Sequence, residues 1–400
     1  MTTLSRRHSR LRTLEPAMQS DVLEQLQATL AKEGPAAAID RLCSNLKEKG
    51  DYPALFYALL LKKRHELGAS PIATGMNDDL PPAAQEAFEN GIRDACRTVG
   101  QLFLDDGKIP QAFGYFRMIG ETAPIAEALE KVELTDDEDV QPLIDIAFQQ
   151  GAAPKKGFDW LLQRYGICNA ITTVTTSELP FSNEVRDYCK KTLIRTLHSE
   201  LLGRLKEEIK RRDGTEPAGK TIAELVAGRE WLFADDFYHI DLSHLNAVVQ
   251  MAGQIEVCEE TRLAKDLCAY GKHLSPKFLY NTDPPFENAY HDYDVFLSIL
   301  LGEDVDKNLA HFRKKADDAD PETVGTYPAE VLVNLLLRIG RPGEALEASK
   351  KHLSRYGNTR LSCPTFVELC QRTGNYAALA EVAKQQGEPV NFLAGLLGKK

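Results

Sequence analysis

The densest collection of groups able to do chemistry lies at residues 233–245, FADDFYHIDLSHL, where Asp235, Asp236, His239, Asp241 and His244 fall within thirteen positions. Imidazole and carboxylate together form the donor set of zinc and manganese centres. His239, Asp241 and His244 could supply three ligands, with Asp235 or Asp236 as a fourth or as an orienting group. The spacing H-x-D-x-x-H differs from helical zinc motifs such as H-E-x-x-H, in which two histidines one turn apart share a face. It therefore demands a turn. The competing account is structural. Asp241 and Ser243 are good N-caps for a helix that buries Leu245, Val248, Val249 and Ala252; His244 then falls in its first turn, and Tyr238 and His239 pack against a neighbouring helix.

A second cluster, LYNTDPPFENAYHDYDVF at 279–296, sets Tyr280, Phe286, Tyr290 and Tyr293 among Asn281, Asp283, Glu287, His291, Asp292 and Asp294. Aromatic rings give large contact area at small entropic cost, and acids beside them suit a basic partner. The plainer alternative is a loop entering a helix at Glu287, with Tyr290, Tyr293, Phe296 and Leu297 as its buried stripe. Tyr238, His239, Asp241, His244, Tyr280, Asp283, Phe286, Tyr290 and His291 are accordingly the candidate binding surface. His239, Asp241 and His244 form the candidate metal set, and no catalytic residue and no cofactor is assigned. The chain has no G-x-G-x-x-G, no G-x-x-x-x-G-K-[ST], no G-x-S-x-G and no complete calcium loop.

The elements that must position these clusters read as helices. In YPALFYALLLKKRHELG the apolar residues Leu55, Phe56, Leu59, Leu60 and Leu67 recur at helical spacing and Gly68 stands at the end. LTDDEDVQPLIDIAFQQG has a capping-box spacing at Thr135 and Glu138 and closes on Gly151. The one β-like run, NAITTVTT at 169–176, disfavours a helix interior and predicts an extended linker. Further breaks fall at 69–82, 212–220, 281–288 and 317–328, all rich in Pro, Gly and Asp. These divide the chain into a disordered basic tail (1–16), an amino-terminal helical-repeat block (17–168), an extended linker (169–183), a central helical block (184–275) and a carboxy-terminal helical-repeat block (276–400).

Bulk composition narrows the function. The net charge of −11 argues against nonspecific nucleic-acid binding, which needs surplus Lys and Arg on a face. No apolar run approaches the roughly 20 residues of a membrane span. SRRHSRLR at 5–12 is followed by acidic sequence without the apolar segment of a signal peptide, and reads as a tail. RLKEEIKRR at 204–212 reads as a solvated helix face. Eight cysteines, none in a C-x-x-C pair, point to reduced thiols and a cytoplasmic setting. Cys168 is the one placed for partial exposure.

Repetition comes last. Gly-turn helix pairs occur at QLFLDDGKIPQAFGYF, LLLRIGRPGEALEAS and LCQRTGNYAALAEVA, and Gly340 and Gly374 are 34 residues apart. TVGQLFLDDGKIPQAFGYF resembles the middle of a tetratricopeptide repeat: Val99, Gly100 and Phe103 before the turn at Gly107, Ala112 and Phe116 after it. Small residues at 100 and 112 let two helices approach, and Phe103 and Phe116 fill the space between this pair and the next. The later pairs depart from the pattern, with Val333 for the first-helix glycine, Ser349 for the aromatic and Leu379 at a small position. The resemblance implies an all-α fold of antiparallel helix hairpins stacked as a tetratricopeptide-like solenoid. It further implies a scaffold or adaptor that binds a peptide or partner protein on a concave face, with neither nucleic acid nor membrane as partner. A metal-assisted hydrolase using His239, Asp241 and His244 is the alternative.

Overall fold

The computed structural model describes residues 16–72, 80–134, 139–176, 181–279, 282–356 and 360–398. It is all-helical, with no strand among the described residues. The chain forms two compact units, Met1–Trp160 and Leu161–Lys400. The basic tail, Tyr280 and the Thr135/Glu138 capping pair lie outside the described residues.

In the first unit α1 (Pro16–Glu33), α2 (Pro35–Glu48), α3 (Tyr52–Glu66), α4 (Pro82–Asp105), α5 (Ile109–Met118) and α6 (Ala123–Glu130) each pack on the next. A short α7 (Gln141–Ile144) then runs into a π-helical turn at Asp145–Gln149. Proline opens many of these helices, where its missing amide is one that a first turn leaves unbonded in any case. The α4–α5 hairpin turns at Gly107, whose φ of 72° suits glycine. Val99 and Ala112 are fully buried, and the Phe116 ring lies on Gly100 so closely that a Cβ there would sit 2.7 Å from it. Phe103 stacks on Tyr115 at 5.7 Å and meets Tyr52 of α3 edge-on at 5.0 Å. Phe116 thus packs within the pair, and Phe103 reaches back onto the preceding helix.

The expected linker at 169–183 is corrected. Residues 169–176 belong to α8 (Pro154–Thr176), which breaks only at Gly166. Along this β-branched run the threonine hydroxyls donate back to carbonyls four residues earlier, as threonine can within a helix: Thr172 to Cys168, Thr173 to Asn169, Thr175 to Ile171 and Thr176 to Thr172, at 2.7–2.9 Å. Ala170 and Ile171 of the same run are buried.

The second unit is built along α9 (Asn183–Asp213), which buries every fourth residue from Cys189 through Leu193, Leu197, Leu201 and Leu205 to Ile209. Each such leucine contributes roughly 1.5–3 kcal/mol by leaving water. α10 (Ile222–Val226), α11 (Leu242–Ala252) and α12 (Glu259–Gly271) pack against it. The chain then continues as α13 (Ala289–Leu300), α14 (Val305–Asp318), α15 (Tyr327–Arg338), α16 (Pro342–His352), α17 (Phe366–Thr373), α18 (Tyr376–Gln386) and α19 (Pro389–Leu397), each against its neighbour in sequence. Because α12 packs on α13, residues 184–275 and 276–400 share one unit. α15 and α16 turn at Gly340, α17 and α18 at Gly374. Ala345 and Val333 are fully buried, and Ser349, standing for an aromatic, buries its hydroxyl without a hydrogen-bond partner. No disulfide forms among the described residues, and Cys168 is exposed.

Candidate functional site

The cluster at 233–245 is engaged by the chain itself. A 3-10 turn at Glu230–Asp236 leads into an extended stretch, and Asp241 caps α11, accepting from the amides of Ser243 (2.8 Å) and His244 (3.3 Å) and from the Ser243 hydroxyl. The Ser243 hydrogen bond, with those amides, holds the Asp241 carboxyl below the usual carboxylate range. Asp236 pairs with Lys277. His239 points into the unit, not out of it. It is 8% exposed, its amide donates to the Tyr270 hydroxyl at 2.8 Å, and its Nδ1 lies 3.1 Å from the same oxygen. Arg204 of α9 donates to the His239 carbonyl at 2.8 Å.

Burial pushes the His239 imidazole below its ordinary pKa and the Tyr270 phenol up to about 12. Nε2 of His239 is buried and unpartnered, with the Phe237 ring perpendicular to the imidazole at 5.0 Å. His244 is half-buried in the first turn of α11, and Tyr238 is exposed beside Phe278. His239, Asp241 and His244 therefore point to different duties. Among the described residues no three His, Cys, Asp or Glu side chains converge as metal ligands do.

The second cluster divides. Tyr290 is buried against Gly271 of α12, and Asp283 and His291 are exposed, His291 against the His311 ring at 5.5 Å. Three of the four described acids, Glu287, Asp292 and Asp294, are paired within the chain. Asp292, 1% exposed, accepts from His311 Nε2 (2.7 Å), Lys315 Nζ (2.9 Å) and the Asn288 amide (2.9 Å). Asp294 pairs with Lys272, and Glu287 with Lys315. Phe286 stacks on Tyr293 at 4.2 Å and 8°, backed by Phe296 and Phe312.

The exposed side of that stack opens onto a groove of about 480 Å³ in the second unit. Its lining comes from α11 and the turn after it (Gln250, Gln254), from the α13 region (Phe286, Tyr293, Phe296), from α15 (Tyr327, Asn334, Arg338), and from α17 with its approach (Pro364, Arg372). α12, α14, α16 and α18 contribute nothing to it. Two devices hold the walls. Arg338 donates to the carbonyls of Gly253 and Ile255, tying α15 to the end of α11. Glu330 of α15 accepts from the Ser362 amide and hydroxyl (both 2.6 Å) and from Thr326, fixing the approach to α17. Burial works to raise the Glu330 pKa, and the hydrogen bonds from Ser362 and Thr326 outweigh it, leaving the carboxyl ionised below its ordinary value.

The groove is lined by stacked aromatic faces, by the amides of Gln250, Gln254 and Asn334, of which Gln254 already accepts from Lys190 (2.9 Å) and Asn334 donates to the Ser362 carbonyl (3.0 Å), and by the exposed Arg372, which has no carboxylate within 4 Å among the described residues. The lining includes no Asp or Glu. Of the sequence candidates, the groove gathers Phe286 alone; Tyr238, His239, Asp241, His244, Asp283, Tyr290 and His291 are not in its lining. Gln250, Asn334, Arg338 and Arg372 were not foreseen. The available signal was positional, one polar or aromatic residue on each alternate helix. No family model, curated protein or solved structure matches the chain.

Proposed function

We propose that the second unit is a tetratricopeptide-like array of helix hairpins whose groove between α11, α13, α15 and α17 binds a peptide segment of a partner protein, so that the chain acts as an interaction scaffold. What supports this is the origin of the lining: alternate helices supply one wall and their hairpin partners supply none. In stacked hairpins the first helix of each pair faces one side, which leaves a continuous recognition surface. Aromatic faces give anchor pockets, and amides and Arg372 give fixed polar contacts along an extended chain.

Charge selects the partner's sign. The acids near Tyr293 are neutralised within the fold and the groove carries arginine without carboxylate, so the fitting segment is neutral or acidic rather than basic. Peptides selected from a displayed random library on the purified protein should carry an aromatic or aliphatic anchor beside Asp or Glu. Filling the groove with Asn334→Trp, or reversing its charge with Arg372→Glu, should each weaken them by roughly ten-fold or more. Peptides that bind both variants as tightly as the unaltered chain would sink the reading.

A further inference from the structure

A second concavity of about 540 Å³ lies in the same unit, built by α12, the start of α10, His198 of α9 and the turn after α13. It shares no lining residue with the groove. Along α12 the residues Arg262, Lys265, Ala269 and Lys272 recur at spacings of three and four, so they form one stripe about 15 Å long at 1.5 Å per residue. Lys220 stands on the facing segment.

The carboxylates here are all matched. Glu303 pairs with Lys265 and Asp294 with Lys272 at 2.8 Å. Asp266 accepts from His198 Nε2 (2.8 Å) and from the amides of Ile222 and Ala223 (2.7 and 2.8 Å), which also occupies the start of α10. Lys220 and Arg262 remain. Both are exposed on the concavity, and neither side-chain cation has a carboxylate within 4 Å among the described residues, while the Glu224 carboxylate accepts from the Lys220 backbone amide at 2.7 Å. The lining as a whole carries four Lys and Arg side chains against three carboxylates, a surplus of one positive charge with His198 neutral, in a chain whose net charge is −11. Cations gathered over low-dielectric walls concentrate their field on whatever enters. Leu263, Ala269, Leu301 and Ala223 supply the apolar part of the lining.

We propose that this cleft binds a phosphorylated small molecule with an apolar body. The body lies on Leu263, Ala269 and Leu301. The phosphate is held by Arg262, whose planar fork matches two phosphate oxygens, and by the Lys220 ammonium as a point charge. The volume suits a ligand of ordinary metabolite size.

The test uses the whole chain and 1-naphthyl phosphate as probe, with inorganic phosphate and 1-naphthol as its separate halves, all by isothermal titration calorimetry. The phosphate ester should bind one-to-one and at least roughly ten-fold tighter than either half. Lys220→Glu and Arg262→Glu should each reduce its affinity by about ten-fold or more, and the salt dependence should flatten with each charge removed. Ala269→Leu, which keeps the charges and fills the apolar part of the lining with a good helix former, should weaken the ester but leave inorganic phosphate unaffected. Circular dichroism of the variants should match the unaltered chain. The proposal is overturned if the ester does not bind in the millimolar range, if the charge variants bind it unchanged, or if Ala269→Leu affects ester and inorganic phosphate equally.

Discussion

The two polar clusters, residues 233–245 and residues 282–296, look alike as strings of acids, histidines and aromatics, yet the fold uses them oppositely. In the first, the polar groups are turned inward: His239 onto Tyr270, Asp241 onto the α11 amides. In the second, the acids are matched by Lys272, His311 and Lys315, and it is the Phe286–Tyr293 stack that faces the groove. Asp241 finds its partners within its own helix start, whereas His239, Asp292 and Asp294 find side-chain partners 19–31 residues away; once hydrogen-bonded, all of them hold the chain instead of a ligand. The groove draws instead on residues 250, 293, 334 and 372, which are strangers in sequence and neighbours only through hairpin stacking.

The comparison breaks most visibly at Asp292. Removing this buried carboxylate by Asp292→Ala leaves His311 without its partner and Lys315 with Glu287 alone, and leaves the Asn288 amide unpaired. A loss of about 3–5 kcal/mol is expected from urea denaturation, since one partner of a buried pair cannot be removed cheaply. A loss below about 0.5 kcal/mol, the size of a surface change, would return the acid to the list of partner-binding groups. Next in size is Tyr270→Phe, which strips the acceptor from the buried His239 amide and should lower stability by about 1–3 kcal/mol while leaving groove binding unchanged.

A smaller effect distinguishes the clusters by pH. His239 has a folded pKa below the unfolded value of about 6.5, so folding favours its neutral form. Its contribution is fully present above that unfolded pKa and is lost as pH falls towards the folded one. Between pH 7 and 5.5 the unaltered chain should therefore lose up to about 1 kcal/mol more than His239→Phe, which keeps an aromatic ring among Phe233 and Phe237 but cannot titrate. Parallel stability profiles for the two proteins would mean that His239 protonates freely in the folded state.

Much of the helical order was legible in the sequence, because turns announce themselves locally. Gly107, Gly340 and Gly374 mark hairpins, and the Pro- and Asp-rich breaks at 212–220 and 317–328 hold the ends of α9 and α14. The threonines at 172–176 were misread because β-branching is visible in a string while a hydroxyl's back-donation to the preceding turn is not. Asp241 was legible as a cap for the same local reason. Arg338 was not, since its partners are carbonyls 83 and 85 residues away.

Those two arginines give the smallest stability change and the sharpest contrast. Arg338 carries out a structural duty inside the groove wall, whereas Arg372 is exposed on the groove and has no carboxylate within 4 Å among the described residues. Arg372→Ala should therefore shift the urea midpoint by no more than about 0.5 kcal/mol, the size of an ordinary surface change. It should still weaken a selected acidic peptide several-fold. Arg338→Ala should lower stability and binding together, because the carbonyls of Gly253 and Ile255 lose their donors and α11 its tie to α15. If Arg372→Ala instead costs as much stability as Arg338→Ala, then Arg372 too is engaged by the fold, and the groove would be one more cluster whose polar groups serve the chain.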